Sequence, residues 1–444
     1  MNNISPIDGR YQSITNVLSD YFSEFSFFKY RLYVELSYFI ALIEILPELK
    51  TLRQEQVKRN IMNIHEQFNK GDYLQIKVKE ELLKHDIKAL EYFIHDKFIE
   101  IELNDFVSFI HFGITSQDIN TSANILSLKD GLFNCIIPEI NIIINSIKLF
   151  VLNTQHNDIM LGFTHGQPAV PTSMSKELLV FYYRLEEQLD ILRTMKFTTK
   201  FGGAVGNFNA HYAAYPDIDW VLFANDFIDR IGLRREQYTT QISNYDHLCN
   251  IFNQLKTINT IVNDLNIDCW LYISKDYLKL KQVSTEIGSS TMPQKVNPIH
   301  FENSEGNICI ANALIEGITR KLSVSRLQRD LTDSTILRNI GSVLSYSLIA
   351  YTSSVKGLQK IEINKEIIKN ELYDNLSVLS EGIQTILRKH GVSDAYEKLH
   401  TLTRGRKLTQ ETLNEFIETM PDKIKDELKK INLETYIGTC KSYH

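Results

Sequence analysis

Between Glu286 and Asn303 the chain reads EIGSSTMPQKVNPIHFEN. Two adjacent hydroxyls (Ser289, Ser290), a cation (Lys295) and an amide (Asn297) fall within a few residues of one another, a set of groups suited to binding an anion beside a side chain that moves a proton. Pro293 and Pro298 forbid a regular helix through the segment, and Gly288 permits backbone geometry that other residues resist. A rigid connector with serines as helix caps is the plainer alternative. A second group of chemistry-bearing residues is Arg329, Ser334 and Arg338, spaced by five and four. With Thr332 or Asp333 as N-cap, Ser334 and Arg338 would open a helix and share one face, where hydroxyl, guanidinium and backbone N–H groups can hold an anion.

Such groups need a scaffold, and the sequence points to long helices. The 444 residues are 43% hydrophobic and 23% charged, with 19 Gly and 9 Pro, a composition that can bury a large core. From Asp246 to about Lys281 there is neither Pro nor Gly. Leu248, Ile251, Phe252, Leu255, Ile258, Ile261, Val262, Leu265 and Cys269 recur at three-four spacing, which predicts one helix roughly 50 Å long. A small domain cannot bury that length, so bundling between chains is expected. Further helices are predicted over 122–152, kinked at Pro138, and over 175–196, 301–322 and 334–358. Phe201 to Tyr215 reads as an ordered loop. The expected class is all-α, divided into a head (1–110), a long-helix body carrying the candidate loop (111–360) and a tail (361–444).

Net charge is −6, which gives no general surface for nucleic acid or membrane. Five scattered cysteines show neither a C-x-x-C pair nor a neighbouring His at zinc spacing, so reduced thiols are expected, with no disulfide framework or structural metal. MNNISPIDGR lacks a secretory pattern, and the apolar run at 135–152 is broken by Pro, Glu, Asn and Lys. Cytoplasmic localisation is the resulting expectation.

GSSTMPQKVNP (288–298) resembles the signature of the fumarase/aspartase superfamily. Six other segments are similar to adenylosuccinate lyases of the bacterial type: SPIDGRY (5–11), KHDIKALEYF (84–93), HFGITSQDIN (111–120), THGQPA (164–169), GAVGNFNAH (203–211) and SRLQRDLTDSTILRN (325–339). The resemblance implies a cofactor-free β-elimination of fumarate from adenylosuccinate, giving AMP, and from SAICAR, giving AICAR, in purine biosynthesis. It also implies a homotetramer with a twenty-helix core and active sites shared between subunits.

By the same resemblance, Ser290 is the general base and His165 the general acid. Lys295 and the N–H groups of the GSS turn stabilise the serine oxygen, and the loop closes over substrate. His85, next to Asp86, holds substrate or orients the acid. Arg10 and Tyr11 contact the phosphate, with Arg329, Ser334 and Arg338 as the further anion-binding set. Thr115, Ser116, Gln241 and Asn297 hold the succinyl carboxylates. Two positions depart from the usual pattern: Gln117 gives TSQD in place of TSED, and Gln294 gives MPQK in place of MPHK. MPQK is closer to argininosuccinate lyase, which makes an enzyme of that kind one alternative reading and a catalytically silent helical scaffold another.

Overall fold

The computed structural model describes residues 3–154, 158–281, 295–403 and 408–441. The helices that matter for the site are, in chain order, α1 (Glu24–Ile45), α2 (Lys70–Leu83), α3 (Asp86–Glu100), α4 (Ser116–Gly131), α5 (Ile137–Thr154), α6 (Met174–Arg193), α7 (Asp246–Ser274), α8 (Ile299–Leu322), α9 (Thr332–Leu337) and α10 (Ile340–Lys360). Strands among the described residues are short and pair two by two: β1 (Ile159–Thr164) with β2 (Gln167–Ser173), β3 (Thr198–Thr199) with β4 (Arg234–Arg235), and β5 (Leu278–Leu280) with β6 (Ile361–Ile363). The all-α class stands.

The chain forms two compact units, the first from Met1–Ile140, Gln188–Thr260 and Gly306–Thr352, the second from Asn141–Glu187, Ile261–Glu305 and Ser353–His444. In the first, α1 starts at Ser23, whose Oγ accepts from the Ser26 N–H. Phe28, Leu32, Val34, Leu36, Phe39, Leu42 and Ile43 are buried on more than one face of α1, so it is packed on several sides and does not carry a single apolar stripe. α4 packs along it. In the second unit, Leu161 on β1 joins Leu372, Ile383, Leu387, Leu399, Leu413 and Ile417 in one buried cluster that holds the C-terminal helices.

α7 is the long helix expected from its apolar stripe, but it stops at Ser274, short of Lys281. Asp276 takes a left-handed conformation (φ 59°), the Tyr277 N–H closes back on the Tyr272 carbonyl at 2.9 Å, and the chain leaves as β5. Two buried asparagines seven residues apart fix the register of α7. Asn259 donates to Ser347 Oγ and Asn312 Oδ1, and Asn266 to Ser304 Oγ at 2.8 Å.

Other expected boundaries also shift. The kink expected at Pro138 is taken up as a π turn at Leu132–Ile136, since proline has no N–H to close the ordinary ladder. The helix expected over 334–358 is two helices, broken at Arg338 and Asn339. The N-cap of α9 is Leu331 and makes no side-chain cap, so neither Thr332 nor Asp333 plays that part; the Asp330 carboxylate accepts from the Thr332 N–H at 2.8 Å. The loop expected over 201–215 contains a helical turn at Asn209–Ala214.

Candidate active site

A cavity of about 670 Å³ lies in the first unit. His85, Asp86, Ser116, Arg329, Ser334 and Arg338, six of the residues picked out in the sequence, line it together with Arg31, Gln117 and Asn120.

One wall is a turn between two helices. α2 ends at Lys84 in the left-handed region (φ 55°), a conformation usually left to Gly or Asn. His85 then caps α3, its Nδ1 accepting from the Lys88 N–H at 3.1 Å. That leaves Asp86 as the first helical residue. Burial works against its ionisation, but the Arg31 guanidinium and the Ile87 N–H outweigh it and hold the carboxyl below the ordinary carboxylate range.

A second wall is the N-terminal half of α4. Thr115 caps the helix, and its N–H donates to Asp118 Oδ2 at 2.8 Å. The 3.6-residue period then puts Ser116, Asn120 and Asn124 on one face, which is the face lining the cavity. Gln117 is 1% exposed; its Nε2 donates to Ser334 Oγ at 3.1 Å, and its Oε1 has no partner among the described residues.

The third wall runs from Arg329 to Arg338. Arg329 Nη1 donates to Gln241 Oε1 at 3.1 Å, and the Gln241 N–H donates to the Gln328 carbonyl. Buried Asp333 anchors the segment by accepting from Tyr245 OH at 2.8 Å. Ser334 and Arg338 both reach the cavity, as their spacing of four predicts. Among the described residues, no carboxylate pairs with Arg329 or Arg338. Two guanidinium groups without a carboxylate partner among the described residues, a helix start and two hydroxyls make a place for an anionic ligand.

Several predicted residues are placed elsewhere. Thr115 and Gln241 brace lining residues and do not themselves line the cavity. Arg10 is exposed and Tyr11 half-buried in the N-terminal segment, outside the cavity lining. His165, Lys295 and Asn297 belong to the second unit. His165 and Gly166 form the two-residue turn of the β1–β2 hairpin, with φ 54° and 72°, as a type I′ turn requires. The histidine is exposed at the tip. Lys295 is exposed and Asn297 half-buried just before α8. Ser290 lies outside the described residues, as do Gly288, Ser289, Pro293 and Gln294.

Sequence reasoning missed six wholly or partly buried side chains. Arg31 reaches the cavity from α1; its signal is a guanidinium within the largely apolar run FSFFKYRLYVEL. Lys200 and Asp118 pair with no exposure of either side chain. Buried Glu35 forms another pair with half-buried His111, at 2.5 Å. His211, buried against Trp220, is pushed down to about 4 by burial and held by Tyr38 OH at 2.9 Å.

Comparison with known proteins agrees with this geometry. Residues 9–311 match the lyase family model, and residues 325–437 match the model described as adenylosuccinate lyase C-terminal. The chain is 46% identical over 444 residues to an adenylosuccinate lyase of Legionella pneumophila, covering 99% of this chain and 97% of that protein. It is 46% identical to the adenylosuccinate lyase of Dictyostelium discoideum (98% and 96% covered) and 42% identical to that of Escherichia coli (98% and 96% covered). Among solved structures, a fumarate lyase from a Mesorhizobium species superposes with a TM-score of 0.74 at 15% identity, covering 96% of each chain. A β-carboxy-cis,cis-muconate cycloisomerase from an Acinetobacter species gives 0.72 at 16% identity, covering 97% of each chain; both show the shared fold. With a cavity lined by three of the segments that carried the resemblance (84–93, 111–120 and 325–339), and with full-length relatives at these identities, the chain belongs to the adenylosuccinate lyase family of the fumarase/aspartase superfamily.

Proposed function

We propose that this chain eliminates fumarate from adenylosuccinate to give AMP, and from SAICAR to give AICAR, with Ser290 as general base and His165 as general acid. The base removes a proton from the succinyl carbon next to a carboxylate. That electron pair becomes the new C=C bond as the bond to the amino nitrogen breaks, and the acid returns a proton to the leaving nitrogen. Charge builds on the succinyl carboxylate during the proton transfer, so donors held in place before the reaction lower the barrier. Thr115, Ser116, Gln241 and Asn297 are assigned to the carboxylates, Lys295 to the developing charge and His85 to orienting the acid. Asp86 binds the substrate beside His85, while Arg10, Tyr11, Arg329, Ser334 and Arg338 take the phosphate.

The observation that carries this reading is Arg329 and Arg338, with no carboxylate partner among the described residues, beside Ser116 and Ser334 in one cavity. The ligand it fits is a polyanion, and adenylosuccinate presents a phosphate and two carboxylates. The test is the absorbance change of adenylosuccinate with purified protein. Turnover of argininosuccinate in its place would favour the alternative lyase, and turnover of neither would favour a silent scaffold.

The further proposal is a cytoplasmic homotetramer with shared sites, a twenty-helix core and the head, body and tail division at 110 and 360. Two observations support the assembly. His165 is exposed on a hairpin tip. Large apolar side chains are exposed along long helices, among them Ile142, Leu149 and Leu152 on α5 and Ile267, Trp270 and Leu271 on α7, as expected of faces that pack against other copies. One helical stretch among the described residues, Ser116–Thr154, is long and apolar enough to cross a membrane, but half of its most apolar window is already buried inside the chain. Light scattering at micromolar concentration measures the assembly.

A further inference from the structure

Arg31 is not a surface cation that happens to reach the cavity. Its side chain is 7% exposed, whereas that of its partner Asp86 is 35% exposed and lies on the cavity wall. Nη2 donates to Asp86 Oδ2 at 2.7 Å and Nε to Asn120 Oδ1 at 2.8 Å. The guanidinium stacks over Phe27 at 3.9 Å and beside Phe28 at 4.9 Å. One side chain of α1 therefore fixes the first residue of α3 and a cavity-lining residue of α4. Stability alone does not call for an arginine here, because apolar residues of similar volume often serve as well as a desolvated charge. The asymmetry points to another use: the arginine is hidden and the carboxylate is presented.

We propose that Arg31 is a positioning residue for the reaction, clamping Asp86 so that the free edge of its carboxylate faces the substrate. Asp86 Oδ1 also accepts from the Ile87 N–H at 2.8 Å, and a carboxylate has about four acceptor sites, so two remain for a ligand. The substrate's phosphate and carboxylates are acceptors and are repelled there; its sugar hydroxyls are donors and fit. The assignment of hydroxyls rests on the proposed nucleotide substrate. The other charges nearby act on the clamp less than its two partners do: Glu80 and Glu24 add to the negative charge felt by Arg31, and His85 Nδ1 lies 3.9 Å from Asp86 Oδ1. Glu24 and Glu80 both pair with Lys77 at 2.7 Å, and Lys84 and His85 sit on the turn before Asp86.

The test is steady-state kinetics with adenylosuccinate from acid to neutral pH for the natural chain, Arg31→Lys and Arg31→Gln, with thermal unfolding measured on each. Arg31→Lys keeps a charge but loses the fork, and should raise KM about tenfold with kcat within about threefold. Arg31→Gln should raise KM about a hundredfold. Without the cation the Asp86 carboxyl holds its proton to higher pH, so the acid limb of kcat/KM should move upward in Arg31→Gln and stay close to that of the natural chain in Arg31→Lys. A folded variant with unchanged KM overturns the inference. So does an activity loss that only tracks the folded fraction while KM and the acid limb stay put. If Arg31→Gln does not fold, the KM of Arg31→Lys alone decides. A natural chain inert on adenylosuccinate would instead overturn the proposed activity, so the two failures are distinct.

Discussion

Lys200 Nζ lies 2.7 Å from Asp118 Oδ1, and neither side chain has any exposure to solvent. The carboxylate also accepts from the N–H groups of Thr115, Gly202 and Gly203, and the ammonium donates to the Gly203 carbonyl. This knot ties the start of α4, which carries Ser116, to the glycine loop at 202–206. Burial drives the Lys200 ammonium toward its neutral form, and the Asp118 charge opposes that drive. Removing one partner strands the other. Lys200→Met should destabilise the fold by about 3–5 kcal/mol in chemical unfolding, and Lys200→Met with Asp118→Asn should recover part of that loss. A single variant as stable as the natural chain would show that the pair is not an anchor.

Arg329 and Arg338 have the opposite character, being cations that face a cavity without a carboxylate partner among the described residues. Replacing either with Ala should weaken AMP binding by about 2–4 kcal/mol, since a charged hydrogen-bonding partner is lost. Stability should change little, because among the described residues Arg329 gives up only its bond to Gln241. Calorimetric titration with AMP measures the first effect and thermal unfolding the second. Unchanged affinity in both variants would remove the pair from the site.

A pH signature follows from His111. Burial lowers its proton affinity, but the charge and hydrogen bond of Glu35, with smaller contributions from Glu91 and Asp118, more than reverse this and leave it raised. Folded protein therefore binds more protons than unfolded chain between the ordinary histidine value of about 6.5 and the raised value. The sign follows: this stabilisation is complete below about 6.5 and is lost as pH rises through the folded value. Melting temperatures from pH 6 to 9 should fall more steeply for the natural chain than for Glu35→Gln, in which the raised affinity is gone. Parallel curves would contradict the assignment.

The parts of this molecule that follow local rules could be read in advance. The apolar stripe from Leu248 to Cys269 marked α7, and the polar motifs at 84–86, 115–116 and 329–338 converge on one cavity. What escaped depends on partners far away in sequence. The end of α7 at Ser274 reflects the pairing of β5 with β6, residues 278–280 against 361–363, which no local pattern encodes. The β1–β2 hairpin was hidden because β2 contains Pro168 and Pro171, which argue against a strand unless it lies at an edge. Arg31 meets Asp86 across 55 residues, and Lys200 meets Asp118 across the chain in the same way. Residue types announced the chemistry; only the fold shows which buried charges hold it.

The proposed sharing of sites between subunits can be tested without a structure of the assembly. Ser290→Ala and His165→Ala should each abolish turnover while leaving the oligomer intact. If the two residues of one site come from different chains, mixing and exchanging the two inactive variants should restore activity. With equal amounts and random exchange, a site has an intact Ser290 half the time and an intact His165 half the time, so recovery should approach about a quarter of the natural rate. If both residues came from one chain, every site would carry one lesion or the other, and the mixture would stay inactive however long it exchanged. Persistent inactivity after demonstrated subunit exchange would therefore rule out that Ser290 and His165 of one site come from different chains, whatever the size of the oligomer.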